Sequence, residues 1–124
     1  MTLWKQGASA VPVLARLRII FGSAGIGGVL PGYGDQRGLE LLVEAGFSTV
    51  EAIQIATLNG AIFLGEERSI GSIAPGKAAD LVIIAGNPAT NIDDVEKVEI
   101  VFKDGVGYDP AKLRRSVEGL MGLR

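Results

Sequence analysis

Histidine and cysteine are both missing from this 124-residue chain, and tryptophan occurs once. Without cysteine there can be neither a disulfide framework nor a thiolate zinc site, and a reducing cytoplasm is the expected compartment. Without histidine, the imidazole that most often ligates catalytic metals and moves protons near neutrality is gone. An excess of one charge is also lacking. Twelve Lys and Arg against fourteen Asp and Glu leave a formal −2, too weak a field to gather nucleic acid or an anionic membrane surface. No stretch approaches the roughly 18 consecutive apolar residues of a membrane span, and residues 1–10 carry neither the basic start nor the apolar core of a secretory signal. The expectation is a soluble protein with no nucleic-acid or membrane partner.

What the chain has in quantity is small and apolar: 48% hydrophobic residues and 18 glycines, the composition of a compact α/β protein. Its length suits one domain that buries about two thirds of its unfolded surface. The most informative run is residues 70–84. Pro75 presets φ for the first central position of a β-turn and Gly76 supplies the positive φ that a type II turn needs next. Leu81-Val82-Ile83-Ile84 is apolar throughout and is stopped by Gly86-Asn87-Pro88, so it reads as a strand buried on both faces.

The flanking segments follow from similar signals. Residues 18–21 read as a strand, and residues 22–34 hold six glycines in thirteen positions and must form a loop. Gly25-x-Gly27 begins a dinucleotide fingerprint, but Leu30 stands where its third glycine belongs, so phosphate binding is not expected. Asp35 can cap a helix over 36–45 with Leu39, Leu42 and Val43 inward and Gly46 at its end. Ser48-x-x-Glu51 has the form of a capping box opening a second helix, whose inward residues are Ala52, Ile55, Ala56 and Leu58. Asn59-Gly60 should interrupt that helix, Gly65 should close it, and Ala52, Ala56 and Gly60 should let the helix pair approach closely. Residues 91–94 read as a polar turn, and 98–103 as a half-buried strand with Val98, Ile100 and Phe102 inward. Asp104-Gly105 is the favoured type I′ pair for a hairpin returning through 106–108. Asp109-Pro110 is an N-cap with proline at the first helical position, opening a terminal helix to about Glu118, with Leu113, Val117 and Leu120 on its apolar side.

Gly71-Ser72-Ile73-Ala74-Pro75-Gly76-Lys77-Ala78-Ala79-Asp80-Leu81-Val82 closely resembles the late C-terminal signature of metal-dependent amidohydrolases, especially the imidazolonepropionase and prolidase-like branch. Residues 51–61 with Leu64-Gly65 resemble that family's last barrel helix, and Val101-Phe102-Lys103-Asp104-Gly105 its closing hairpin. Residues 27–35 and 39–46 resemble the loop and helix after its final barrel strand. The likeness runs nearly unbroken from residue 19 to 111. It implies an α/β fold: the C-terminal fragment of a (β/α)₈ barrel, itself about 250 residues when complete, plus strands of the flanking composite β-sandwich. The implied organisation is a poorly matched segment at 1–18, the last barrel strand, glycine-rich loop and helices at 19–65, sandwich strands and hairpin at 66–109, and a helix at 110–124.

In the intact family, as the resemblance implies, zinc or another divalent metal is held by histidines, often a carboxylated lysine and an Asp after the last strand, and it activates a water. This chain offers no histidine, and between residues 19 and 34 no Asp or Glu. Ser23, or Gly22 in a shifted alignment, stands near the position that the resemblance gives the family's catalytic Asp, and a hydroxyl neither accepts a proton at neutral pH nor matches a carboxylate as a ligand. Ser23 as a nucleophile would need Lys77 or a carboxylate as base. The expectation is no catalytic residue, no metal ligand and no cofactor in this chain, with Gly27, Gly28 and Asp35 as loop candidates for substrate contact. Asp80 is expected to hold the elbow through backbone amides, and Arg37, Arg114 and Arg115 to be solvated. Two functions fit: a fragment of a C–N bond hydrolase that is inactive alone, or a non-catalytic oligomerising or partner-binding domain. The expected partner is another copy or a complementary N-terminal barrel chain, because unpaired strand edges seek cover.

Overall fold

A computed structural model of the protein describes residues 33–119. The expected N-terminal segment, the strand at 18–21 and nearly all of the glycine-rich loop lie outside that range.

The first helix, α1, is Tyr33–Glu44. It takes in Tyr33 and Gly34, which the glycine count assigned to the loop, and so Asp35 falls inside the first described turn instead of before it. There its charge complements the helix dipole but does not cap. The C-terminus ends as a left-handed Gly46 demands. Gly46, at φ 106°, donates to the Val43 carbonyl and Phe47 to that of Leu42, the paired bonds of a Schellman motif. Phe47 is thereby turned inward and is 7% exposed.

Ser48 opens α2, Thr49–Gln54, with a complete capping box: Ser48 Oγ accepts from the Glu51 N–H while the Glu51 carboxylate accepts from the Ser48 N–H. Asn59-Gly60 does not break this helix. The backbone widens into a π turn over Ile55–Asn59 and resumes as α3, Gly60–Leu64, so the misfit is absorbed as one loosened turn. Gly65, at φ 74°, closes it in the left-handed conformation. Of the small residues expected to let the helices approach, Ala52 is fully buried, but Gly60 makes no close approach. A Cβ on Gly60 would meet nothing within 4 Å, whereas one on Gly71 would lie 2.5 Å from Ala61 Cβ. The tight contact is between the following loop and the π turn with the start of α3.

Lys77 donates to the Ala74 carbonyl at 3.2 Å across Pro75-Gly76, and Gly76 has φ 87°, the turn the Pro-Gly pair requires. Three strands follow: β1, Leu81–Ile84; β2, Val98–Lys103; and β3, Val106–Tyr108. They form an antiparallel sheet of order β1-β2-β3, Leu81 opposite Phe102, Val82 opposite Val101 and Val101 opposite Tyr108. Asp104 and Gly105 have φ of 50° and 80°, as a type I′ turn requires. The turn expected at 91–94 is a 3₁₀ turn over Ile92–Glu96, capped by Asn91 and packed against α1 and β1. The terminal helix, α4, is Pro110–Ser116, two residues short of expectation, capped by Asp109.

Among the described residues the buried apolar ones are Phe47, Ala52, Ile55, Ala61, Ile92 and Val95. All lie on the helices, their connection or the 3₁₀ turn, and none on the sheet. β1 is therefore not buried on both faces: Val82 is 54% and Ile83 43% exposed. Its run of apolar residues is explained by what a doubly covered strand needs, but in this chain the covering layers are not among the described residues. Ile100, expected inward, is likewise exposed. No helix among the described residues is long and apolar enough to cross a membrane.

Candidate functional site

Of the residues singled out for chemistry, Ser23, Gly27 and Gly28 lie outside the described range. Asp35 is exposed on the first turn of α1. No described catalytic constellation gathers around it.

The loop from Glu66 to Asp80 is instead closed by its own polar groups. Lys77 Nζ donates to the carbonyls of Glu67 and Ile70 and to Ser72 Oγ, so this ammonium holds the elbow shut and is not presented as a base. Asp80 does bond a backbone amide, as expected of it, but on the distant hairpin and not within the elbow. Its Oδ1 accepts from the Asp104 N–H at 2.8 Å, and Lys103 Nζ lies 2.8 Å from Oδ2. Gly105 donates to the Ala79 carbonyl beside it. The start of β1 is thus tied to the β2–β3 turn.

A second carboxylate knot was not legible as such in the sequence. Asp94 is buried beneath the Gly86-Asn87 turn: Oδ2 accepts from the Asn87 N–H at 2.8 Å, and Oδ1 from Lys97 Nζ at 2.7 Å and Asn91 Nδ2 at 3.4 Å. A Cβ on Gly86 would sit 2.5 Å from Asp94 Oδ2, which explains the glycine there. The available signal was Asp94-x-x-Lys97 bracketed by the apolar Ile92 and Val95, a charge pair inside a segment that must pack. Arg37 is paired with Glu40 at 2.7 Å and Glu44 at 2.8 Å along α1, in place of the purely solvated charge expected.

These contacts shift titration. The Asp104 N–H first, and then the Lys103 ammonium, hold the Asp80 carboxyl below its ordinary value. Lys97 first, and then the Asn87 N–H, do the same for Asp94. A carboxylate depressed in the folded state contributes stability that is complete above its unfolded value, 3.8 for Asp, and lost as pH falls through the folded one. The urea midpoint is therefore expected to be flat from neutrality to about pH 5 and to fall below about pH 4. An Asp80→Asn/Asp94→Asn double variant should start lower and fall less steeply. An acid limb of unchanged slope would show that other groups carry it.

The chain has no histidine or cysteine, and no three acidic side chains among the described residues converge as a divalent metal would need. The carboxylates of Glu51, Asp80, Asp94 and Asp109 are engaged in caps, turns and ion pairs. The described residues do not fit such a metal. A shallow cleft between β3 and α4 is lined by Tyr108, Asp109, Lys112, Leu113 and Ser116. Asp109 there caps α4, and Ser116 Oγ donates to the Leu113 carbonyl, so no nucleophile and base meet in it.

Residues 13–107 match the model of the amidohydrolase family, and the chain belongs to that family. Among curated relatives it is 49% identical over 53 residues to an adenine deaminase of Mesorhizobium japonicum, covering 43% of this chain and 9% of the relative. Among solved structures it is similar to a Bifidobacterium longum protein assigned as a prolidase, with 29% identity, a TM-score of 0.71, and coverage of 90% of this chain and 30% of that one. It is also similar to an Xaa-Pro dipeptidase at 34% identity and a TM-score of 0.66, covering 83% and 26%. The chain thus spans about a tenth of the curated relative and under a third of the two structures. The resemblance to the prolidase-like branch is matched by these neighbours, while the adenine deaminases add a second substrate type among the relatives.

Proposed function

We propose that this chain is a metal-free portion of an amidohydrolase-type enzyme, related to hydrolases of non-peptide or dipeptide C–N bonds and silent in catalysis by itself. It corresponds to the closing strand and helices of the barrel together with strands of the flanking β-sandwich. The observation that carries the reading is a family match over residues 13–107 in a chain with no histidine. The relatives' substrates, adenine and Xaa-Pro dipeptides, frame the class of bond. Any metal would have to be ligated by a complementary N-terminal barrel segment, and Ser23 near the usual Asp position would leave even that assembly without its base.

The purified chain, incubated with zinc, is expected to retain far less than one zinc per chain and to release neither ammonia from adenine nor proline from an Xaa-Pro dipeptide. Turnover abolished by a chelator and restored by zinc would overturn the reading.

A second reading is favoured by the exposed apolar residues of the sheet, Val82, Ile83, Val106 and Tyr108 among them: a non-catalytic domain that associates with itself or a partner. Covering those residues would supply the burial that the sheet lacks.

A further inference from the structure

In the elbow between α3 and β1, three oxygens converge on the tip of one side chain. The chain first turns at residues 66–70, where the Glu66 carbonyl accepts from the N–H groups of both Ser69 and Ile70. It turns back at Pro75-Gly76, where Lys77 N–H meets the Ala74 carbonyl, and Ala78 N–H then bonds the Ser69 carbonyl at 2.9 Å. These bonds lay the half-buried Lys77 stem across the first turn. Its Nζ donates to the Glu67 carbonyl, to the Ile70 carbonyl at 3.3 Å and to Ser72 Oγ at 2.6 Å. An ammonium has three donors and no acceptor, so three acceptors meet its capacity in full.

All three acceptors are neutral, and this decides what they can hold. A divalent ion such as calcium takes about six to eight oxygens, carboxylates among them. A compact monovalent cation with its own N–H donors is satisfied by neutral oxygens at hydrogen-bond distance. The position matters as well. Ile70 and Ser72 flank Gly71, the residue packed so closely that an added Cβ would lie 2.5 Å from Ala61 Cβ and 3.2 Å from Leu58 Cα. Lys77 in turn lies three positions before Asp80, whose carboxylate ties the entry of β1 to the hairpin. The ammonium thus stands between the contact with the helices and the start of the sheet.

We propose that residues 67–72 form a binding seat for a primary ammonium ion, filled in this chain by Lys77, and that filling it holds Gly71 against the π turn and the start of α3. The affinity belongs to the oxygens and not to the covalent tether, so a free alkylammonium of matching length enters once the lysine stem is cut away. Lys77→Ala removes the atoms of n-propylammonium, from Cγ to Nζ. Lys77→Met keeps a stem of the same length without the ammonium and leaves a free amine no room. This role is independent of whether the chain is catalytic or self-associating.

The test is urea unfolding of the full chain, Lys77→Ala and Lys77→Met, each with n-propylammonium chloride and, at matched concentration, with tetramethylammonium chloride, which has the charge but no N–H. Both variants should unfold at lower urea than the full chain. The n-propylammonium ion should raise the midpoint of Lys77→Ala with its concentration, as a ligand of the folded state does, and should leave Lys77→Met and the full chain unmoved; tetramethylammonium should restore nothing. Nitrogen-15 spectra of the lysine ammonium groups give a reading that does not require either lysine variant to fold. The Lys77 ammonium protons should exchange slowly with water in the full chain and faster in Ser72→Ala, a substitution at an exposed position, while those of Lys97 and Lys103, bonded to carboxylates elsewhere, stay as they were. Unchanged midpoints in both lysine variants, a loss in Lys77→Ala that n-propylammonium does not repair, or equal repair by tetramethylammonium or in Lys77→Met would overturn the seat. So would Lys77 ammonium protons that exchange at the same rate with and without the Ser72 hydroxyl.

Discussion

Gly71→Ala is expected to lower the unfolding free energy by about 2–5 kcal/mol, from two independent sources. The first is conformational: Gly71 sits at φ 83°, where an L side chain costs of order 1 kcal/mol or more. The second is steric. The added Cβ would lie 2.5 Å from Ala61 Cβ, 3.2 Å from Leu58 Cα and 3.3 Å from the Thr57 carbonyl oxygen. Two of those three neighbours are backbone, so the loop or α3 must move as a unit, and overpacking of that kind costs about 1–3 kcal/mol. Gly76→Ala separates the terms. Gly76 has nearly the same φ, 87°, but nothing within 4 Å of its would-be Cβ, and it should lose only the conformational part. Equal urea midpoints for the two variants would show that the close approach of residues 70–72 to α3 carries no energy.

Ile55→Ala is expected to cost about 2–5 kcal/mol, and to stand out because the core is small. Ile55 is 3% exposed at the start of the π turn, one of six buried apolar residues among the described ones. Truncation removes apolar contact and leaves a cavity in a helix whose hydrogen-bond ladder is already widened. Against the roughly 5–15 kcal/mol typical of a domain, such a loss is a large fraction of the total. Leu64→Ala is the control: at 68% exposure its truncation should change the midpoint by less than about 0.5 kcal/mol. Similar losses at both positions would mean that Leu64 is covered in solution, which exposure in the single chain does not anticipate.

The two substitutions bear on the functional reading because both concern the half of the molecule that is packed. α1, α2, α3 and the 3₁₀ turn enclose the core and are further tied by Gln36 to the Val95 carbonyl and Thr49 to that of Ala89. The sheet offers apolar residues, Val82, Ile83, Val106 and Tyr108 among them, that nothing described covers.

Turns and helix ends were readable from short runs of residues because their chemistry is local. Ser48 with Glu51, Asp109 with Pro110, Asp104-Gly105 and Pro75-Gly76 each specify a backbone shape within four positions, and each forms as read. The absence of histidine needs no coordinates at all. Candidate site residues were a different matter. Asp80 was recognised as an anchor, but its amide partner is 24 positions away on Asp104, and the capping role given to Asp35 failed because α1 already includes Tyr33.

Sequence alone thus determined the family and, among the described residues, the turns at Pro75-Gly76 and Asp104-Gly105 and the helix starts at Ser48 and Asp109, since these depend on residue type and near neighbours. Only the tertiary structure decided that Asn59-Gly60 is absorbed in a π turn, that Asp94 is buried under Gly86, that Gly71 and not Gly60 is the close contact, and that Val82 and Ile83 of β1 are exposed among the described residues. Burial and close approach depend on segments distant in the chain, and an apolar run such as Leu81 to Ile84 states what a strand would bury without stating whether anything lies against it.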